Sequence, residues 1–287
     1  MRPLRFAVLA VTLGWLLTSS AQEVRPPQYA VAGHPTTIGT SGEGEGTLYL
    51  VGPGQVIKRH VRLGSDVAIA ANELGSAGRW IAILRAGGRS PSQVFFVQSG
   101  TPESLSFLAR PSRVPVARPS VISGIAVVFD KFQNLVLQPT PVKFSLSVEG
   151  TEISQTVTSR NGLAWVNSSS ARKAGAAQFV ARAGDTSVRR VVQQVASDPC
   201  NLRIHMAQRN PVGVAFETDP VRDCTGNPVP DGTIVTFTQS DSRGRSTVDA
   251  RLKKGIARAI LPASDKAIIT VACGVVLGNE LHLGGAR

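Results

Sequence analysis

The residues of this chain whose chemistry depends on spacing are its three cysteines, its four histidines and two loop aspartates. In an exported chain, Cys200, Cys224 and Cys273 can make at most one bridge and one spare thiol. Cys200 opens the first strand of a C-terminal domain, and Cys224 lies just past the end of its second strand. Antiparallel pairing of those strands brings the two ends within disulfide reach. A Cys200–Cys224 bridge closes a loop of about 25 residues, worth roughly 3 kcal/mol in the chain-entropy model. A Cys224–Cys273 bridge, or three reduced thiols, are the competing arrangements; Cys273, late in a long strand, reads as buried and reduced.

His34, His60, His205 and His282 lie far apart and fall into no His-x-x-x-His or Cys-x-x-Cys spacing, so no zinc site is expected. His205 alternates with Ile204 and Met206 and should point outward from a strand. No serine sits in Gly-x-Ser-x-Gly, and no histidine or aspartate is placed to complete a triad. The run 168–170 is a loop, and Asn167-Ser168-Ser169 matters as a glycosylation acceptor only in a eukaryotic secretory pathway. The acidic, glycine-rich run 42–46 would repel phosphate and leads into no helix, so it is an exposed loop. Asp130 and Asp223 could serve calcium, but one aspartate per loop is too few for an oxygen cage. Each is expected instead to cap its own turn by accepting backbone N–H groups. No catalytic residue and no cofactor is expected; the chain does not read as an enzyme.

The elements that position these residues come from an internal repeat. Residues 222–238, RDCTGNPVPDGTIVTFT, are a turn-rich run followed by β-branched and aromatic residues: a loop feeding a strand. The same layout recurs at 129–145, FDKFQNLVLQPTPVKFS. At a constant spacing of 93 residues, Asp130 answers to Asp223, Asn134 to Asn227, Val142 to Val235, Phe144 to Phe237 and Gly162 to Gly255.

The N-terminus is a separate matter. Arg2 and Arg5 precede an apolar run at 6–17, and small residues at Ser19 and Ala21 follow, the order of a secretory signal peptide cut after Ala21. The apolar run is too short to span a bilayer, and no later segment is apolar enough, so no membrane span is expected in the mature chain. The expected location is periplasmic or extracellular. The net charge is +12, spread along the chain with short clusters at Lys58-Arg59-His60, Arg172-Lys173, Arg189-Arg190 and Lys253-Lys254. Aromatic residues are only 5% of the chain, so base-stacking platforms are scarce and no nucleic-acid partner is expected.

Taken in order, residues 22–31 read as an extended leader. From 32 to 98, short strands alternate with Gly-rich turns, and 71–74 allows a single helical turn. Boundaries fall near 99–102 and 197–199. The proline-punctuated run with Pro111, Pro115 and Pro119 reads as an edge strand or one that switches sheets. Almost no segment has a 3.6-residue apolar period of helical length. The expected fold is all-β: tandem Ig-like antiparallel β-sandwiches at 22–101, 102–196 and 197–287, behind a signal peptide at 1–21.

The pattern D-x-x-x-N-P-V-P-x-G-x-x-V-T-F, followed by a turn glycine and a late apolar strand, resembles the bacterial group 1 Ig-like domain of invasin- and intimin-type adhesins. It is nearly whole at Asp223, Asn227, Pro228, Val229, Pro230, Gly232, Val235, Thr236, Phe237, Gly255 and Val271. The earlier copy keeps Asp130, Asn134, Val136, Val142, Phe144 and Gly162, but has Leu135 and Leu137 for the prolines and Pro139 for the glycine. The resemblance covers roughly residues 102–287. It implies a modular, non-catalytic protein with a structural, spacer or adhesion-type binding role, whose partner is a protein or glycan of the cell envelope. The alternative is an accessory module that binds acidic glycan or envelope polymer through its basic surface.

Overall fold

The structure, a computed structural model, describes residues 22–262 and 266–284. The signal-peptide reading of residues 1–21 lies outside them. The chain divides into two compact units between Gly100 and Thr101.

In the first unit the strands are β1 (Glu23–Arg25), β2 (Tyr29–Val31), β3 (Thr36–Ser41), β4 (Glu45–Gly52), β5 (Gln55–Arg62), β6 (Asp66–Ile69), β7 (Gly78–Arg85) and β8 (Ser92–Gln98). They form a three-stranded sheet, β1-β3-β6, and a five-stranded one, β2-β8-β7-β4-β5. The expected leader is therefore part of the sandwich. Val24 and Ala30 point into the core, and Pro26-Pro27 breaks the pairing between them, so the chain leaves one sheet and joins the other. β2 then runs parallel to β8, a departure from the all-antiparallel expectation. Residues 71–73 form a turn rather than a helical segment. Trp80 is fully buried, packs 6.1 Å from Phe95 and donates its indole N–H to the Ser76 carbonyl at 2.9 Å. A Cβ on Gly52 would sit 2.2 Å from that indole, so this position tolerates only glycine.

The second unit holds two further sandwiches. The first of them is built from β9 (Ser104–Arg110), β10 (Arg113–Pro115), β11 (Ile122–Phe129), β12 (Pro141–Val148), β13 (Thr151–Thr158), β14 (Leu163–Ser168), β15 (Gly175–Ala183) and β16 (Thr186–Val195). Its sheets are β14-β11-β9 and β10-β16-β15-β12-β13. The proline run does switch sheets: β9 pairs with β11, and β10 pairs in parallel with β16. Strand β13 has almost no buried side chain, which is why its sequence carries little alternation to read. Phe107, Phe144 and Phe179 form the centre of the core, with ring centroids 5.2 to 6.2 Å apart.

The last sandwich comprises β17 (Pro199–Cys200), β18 (Ile204–Asn210), β19 (Gly213–Thr218), β20 (Arg222–Asp223), β21 (Ile234–Asp241), β22 (Gly244–Arg251), β23 (Arg258–Leu261), β24 (Ile268–Cys273) and β25 (Val276–His282). Sheets β18-β19-β23 and β22-β21-β24-β25 enclose a second, separate core around Phe216, Phe237, Leu261 and Ile269. The fold is all-β throughout the described residues, alternating inward apolar and outward polar side chains as a sandwich requires.

Replacing Phe179 with Ala should cost roughly 3–5 kcal/mol, because the ring is fully buried between two others. Ile153→Ala, on the exposed edge strand β13, should stay within about 0.5 kcal/mol. Denaturant unfolding of the two variants measures both.

Candidate functional site

The repeated turn is one structure made twice. In the last sandwich Asp223 Oδ1 accepts from the Thr225 and Asn227 backbone N–H groups, both at 2.9 Å, and from the Thr225 hydroxyl at 2.8 Å. In the middle one Asp130 Oδ1 accepts from Phe132 N and Asn134 N, again at 2.9 Å. The backbone closes identically: Asp130 N–H donates to the Asn134 carbonyl, and Asp223 N–H to the Asn227 carbonyl. Gln133 and Gly226, at matching positions, both take a positive φ, which explains glycine in one copy. The turn is followed by Val136 in one copy and Val229 in the other, both buried, and each valine N–H returns to a carbonyl ahead of the turn, that of Val128 in one and Val221 in the other. Pro228 precedes this valine and bridges to Arg222, while Gly232 takes a positive φ of 88° at the entry to β21.

In both copies the asparagine amide turns back onto the aspartate, Asn134 Nδ2 donating to Asp130 Oδ2 at 2.8 Å and Asn227 Nδ2 donating to Asp223 Oδ2 at 3.2 Å. Asn227 is buried and also reaches into the preceding sandwich: its Nδ2 donates to the Arg172 carbonyl at 2.7 Å, and its Oδ1 accepts from Ala174 N–H at 2.8 Å. Asp223 Oδ2 accepts from the Ser197 N–H of the connecting segment at 3.1 Å. The receiving loop is itself anchored. Buried Gln194 Oε1 accepts from Ala171 N–H at 2.7 Å, and Ser170 Oγ donates to the Pro115 carbonyl at 2.8 Å. The turn motif of one sandwich is thus the joint to the sandwich before it. Nothing in the periodicity of residues 172–174 or in Ser197 marks them as its partners, because these contacts cross between modules.

Burial pushes the Asp223 carboxyl up, but hydrogen bonds from Thr225, Asn227 and Ser197 outweigh it and hold the group below the usual carboxylate range. Cys200 and Cys224 form a disulfide beside the turn, with Cα atoms 4.9 Å apart. Cys200 lies on the short strand β17, which pairs with β20 and not within the β18–β19 hairpin. Cys273 is free and buried, and burial raises its thiol, which keeps it protonated and unreactive. His205 faces solvent on β18, 3.3 Å from Asp219. Among the described residues, no three His, Cys, Asp or Glu side chains gather into a possible metal site.

Two outward surfaces differ between the related sandwiches. On the three-stranded sheet of the middle one, Leu108, Ile125 and Trp165 lie side by side across the strands, with Trp165 59% exposed. The corresponding row of the last sandwich is His205, Glu217 and Arg258, which carries charge. The second surface is the seam where edge strands β22 and β23 meet. It is a groove of about 620 Å³ lined by Asp249, Ala250, Arg251, Lys253, Lys254, Ile256 and Arg258.

Successive β-sandwiches, the last two of them joined by a carboxylate-capped turn, define an Ig-like modular fold. Comparison with solved structures gives the fold a more particular likeness. The chain resembles the Escherichia coli adhesin FdeC, with a TM-score of 0.60, 14% identity, and 93% of this chain and 97% of that one covered. It also resembles Yersinia pseudotuberculosis InvD, with a TM-score of 0.54, 11% identity, and 94% and 99% of the two chains covered. At these identities the likeness establishes the fold, that of bacterial Ig-like domain proteins. No family model matches the sequence, and no curated protein matches it.

Replacing Asn227 with Ala should cost roughly 1–3 kcal/mol, since it strips buried partners from both modules. Hydrogen exchange should show the Ala174 amide losing protection in this variant and keeping it in Asn134→Ala. The Asp223 carboxyl, depressed in the folded state, contributes stability that is complete above its unfolded value of about 3.9 and lost as pH falls through and below it. Asp223→Asn should therefore flatten the acid limb of a stability-against-pH curve while lowering stability at neutral pH.

Proposed function

We propose that the protein is an exported, non-catalytic Ig-like repeat protein with a structural or adhesion-type binding role at the bacterial cell envelope or outside it. In this reading residues 22–101, 102–196 and 197–287 are three modules behind a cleaved signal peptide. The observation that carries it is the joint. The motif that closes the last sandwich also fixes it to the one before, through Asn227, Asp223 and Ser197. Residues used in this way serve spacing and presentation rather than turnover. The fold likeness to FdeC and InvD supports the same role. Among the described residues no helix is long and apolar enough to cross a membrane.

The exposed row of Leu108, Ile125 and Trp165 is the surface best suited to an apolar protein contact, since tryptophan is among the residues most enriched at binding hot spots. A second reading, retention on acidic envelope polymer, is favoured by the basic seam of the last sandwich.

A pull-down of the mature chain against envelope fractions, at low and high salt, tests the role. Capture of one defined protein that survives high salt, and is lost on Trp165→Ser with the fold intact, is the expected result. Capture that is insensitive to Trp165→Ser removes the row from the reading. Turnover of any substrate by the purified chain would overturn the non-catalytic assignment.

A further inference from the structure

The seam between β22 and β23 carries more charge than its structural position requires. Both strands are sheet edges, and edge strands are commonly guarded by lysine and arginine against pairing with other chains. The middle sandwich has the same seam, 93 residues earlier, and the same need for protection. There Thr156, Thr158, Arg160, Asn161 and Trp165 stand where the last sandwich has Asp249, Arg251, Lys253, Lys254 and Arg258. One cation suffices in the first case; four are present in the second. Protection alone does not account for the difference.

The cations are also incompletely used inside the protein. Arg258 pairs with Glu217 at 3.0 Å, and Arg251 donates to the Gly232 carbonyl at 3.2 Å. Among the described residues, neither Lys253 nor Lys254 has a carboxylate partner for its ammonium group. The one carboxylate in the lining, Asp249, already accepts from the Thr236 hydroxyl at 2.6 Å. The turn that carries the lysines is held in place: Asp231 accepts from Lys254 N–H at 2.9 Å and from Gly255 N–H at 3.1 Å, with one oxygen for each. The result is a preorganised concave surface with surplus positive charge.

We propose that this seam binds a linear acidic polysaccharide, whose carboxylate or sulfate groups are taken by Arg251, Lys253, Lys254 and Arg258. The lining favours this class of partner over others. It has no aromatic ring on which a nucleic-acid base could stack. Its only apolar members are Ala250 and Ile256, too little for the buried anchor that a protein interface centres on. Recognition is left to repeated charge, which a polyanionic glycan supplies along its length. The proposal rests on the reading of the chain as a binding protein and adds a partner class for its last sandwich.

The test uses the mature chain on immobilised heparin, which is sulfated, on polygalacturonate, which carries only carboxylates, and on neutral dextran and single-stranded DNA. The variant combines Lys253→Glu with Lys254→Asn, because asparagine accepts the positive φ of 53° at that position. A control of equal charge change, Arg189→Glu with Arg190→Gln, lies on the exposed strand β16 of the middle sandwich. The wild type should be held by at least one acidic polymer and not by dextran, and released between about 0.1 M and 1 M salt, as the screening length falls from about 10 Å to about 3 Å. The seam variant should bind roughly tenfold more weakly, and the control within about twofold of wild type. Which polymer is retained separates sulfate from carboxylate recognition. Equal weakening of both variants would mean diffuse surface charge and overturn the proposal. Retention on neither polymer, or tighter binding to the DNA, would overturn it as well. None of these outcomes touches the high-salt, Trp165-dependent capture that tests the adhesion role.

Discussion

A carboxylate buried in a short turn is costly unless nearly every lone pair finds a donor. Asp130 and Asp223 are 1% and 4% exposed, and both meet that demand with backbone N–H groups from two and four residues ahead. The constraint reaches far beyond the turn. Satisfying the carboxylate fixes the backbone of five residues, which sets where the following valine enters the core and where the next strand begins. The asparagine at the end of the turn is then held at a fixed distance from the aspartate. In the last sandwich this aims its amide at the loop of the previous module. A local hydrogen-bonding requirement thus becomes a joint between domains.

Because the joint and the fold share these residues, the surfaces away from them are free to diverge. The core rows of the two related sandwiches keep their apolar character, as with Val142 and Val235 or Phe144 and Phe237, all nearly inaccessible. Across the outward face of the three-stranded sheet, no such pressure acts. There the middle sandwich has Leu108, Ile125 and Trp165, and the last one has His205, Glu217 and Arg258. The pleat delivers both sets to solvent at the same geometry. The two sandwiches thus hold one architecture and present different chemistry on it.

How much of this is legible in the sequence depends on whether the signal is local. The capped turn is local: an aspartate, its asparagine four residues on and the turn glycine name the structure between them. Long strands with one buried face, such as β12 and β21, declare themselves by alternation. Strands β1 and β2 do not, because each has three residues and a single buried side chain, and Pro26-Pro27 between them suggests an extended leader. Strand β13 is hidden for the opposite reason: it is long, but it buries so little that hydrophobicity leaves no trace. The partners of Asn227 lie in another module, so no pattern around residue 227 points to residues 172–174. The Lys253-Lys254 pair is visible as a cluster, but the seam that gathers Arg251 and Arg258 beside it exists only once two sheet edges meet.

The turn at this seam shows how the last sandwich sustains its charge. Its middle counterpart is Asn161-Gly162, with φ values of 51° and 78°, and asparagine is among the few residues that accept that region readily. Lys254-Gly255 takes φ values of 53° and 78°, with a lysine where the backbone prefers asparagine. The conformational cost is met from outside the turn, by Asp231 accepting both N–H groups. These bonds hold the Asp231 carboxyl below its usual range, so it stays ionised and lies close to the lysine backbone. The exchange of asparagine for lysine between the two turns thus comes with a carboxylate that holds the backbone in place. What the exchange gains is a second exposed ammonium group beside Lys253, set at the rim of a groove already lined by two arginines.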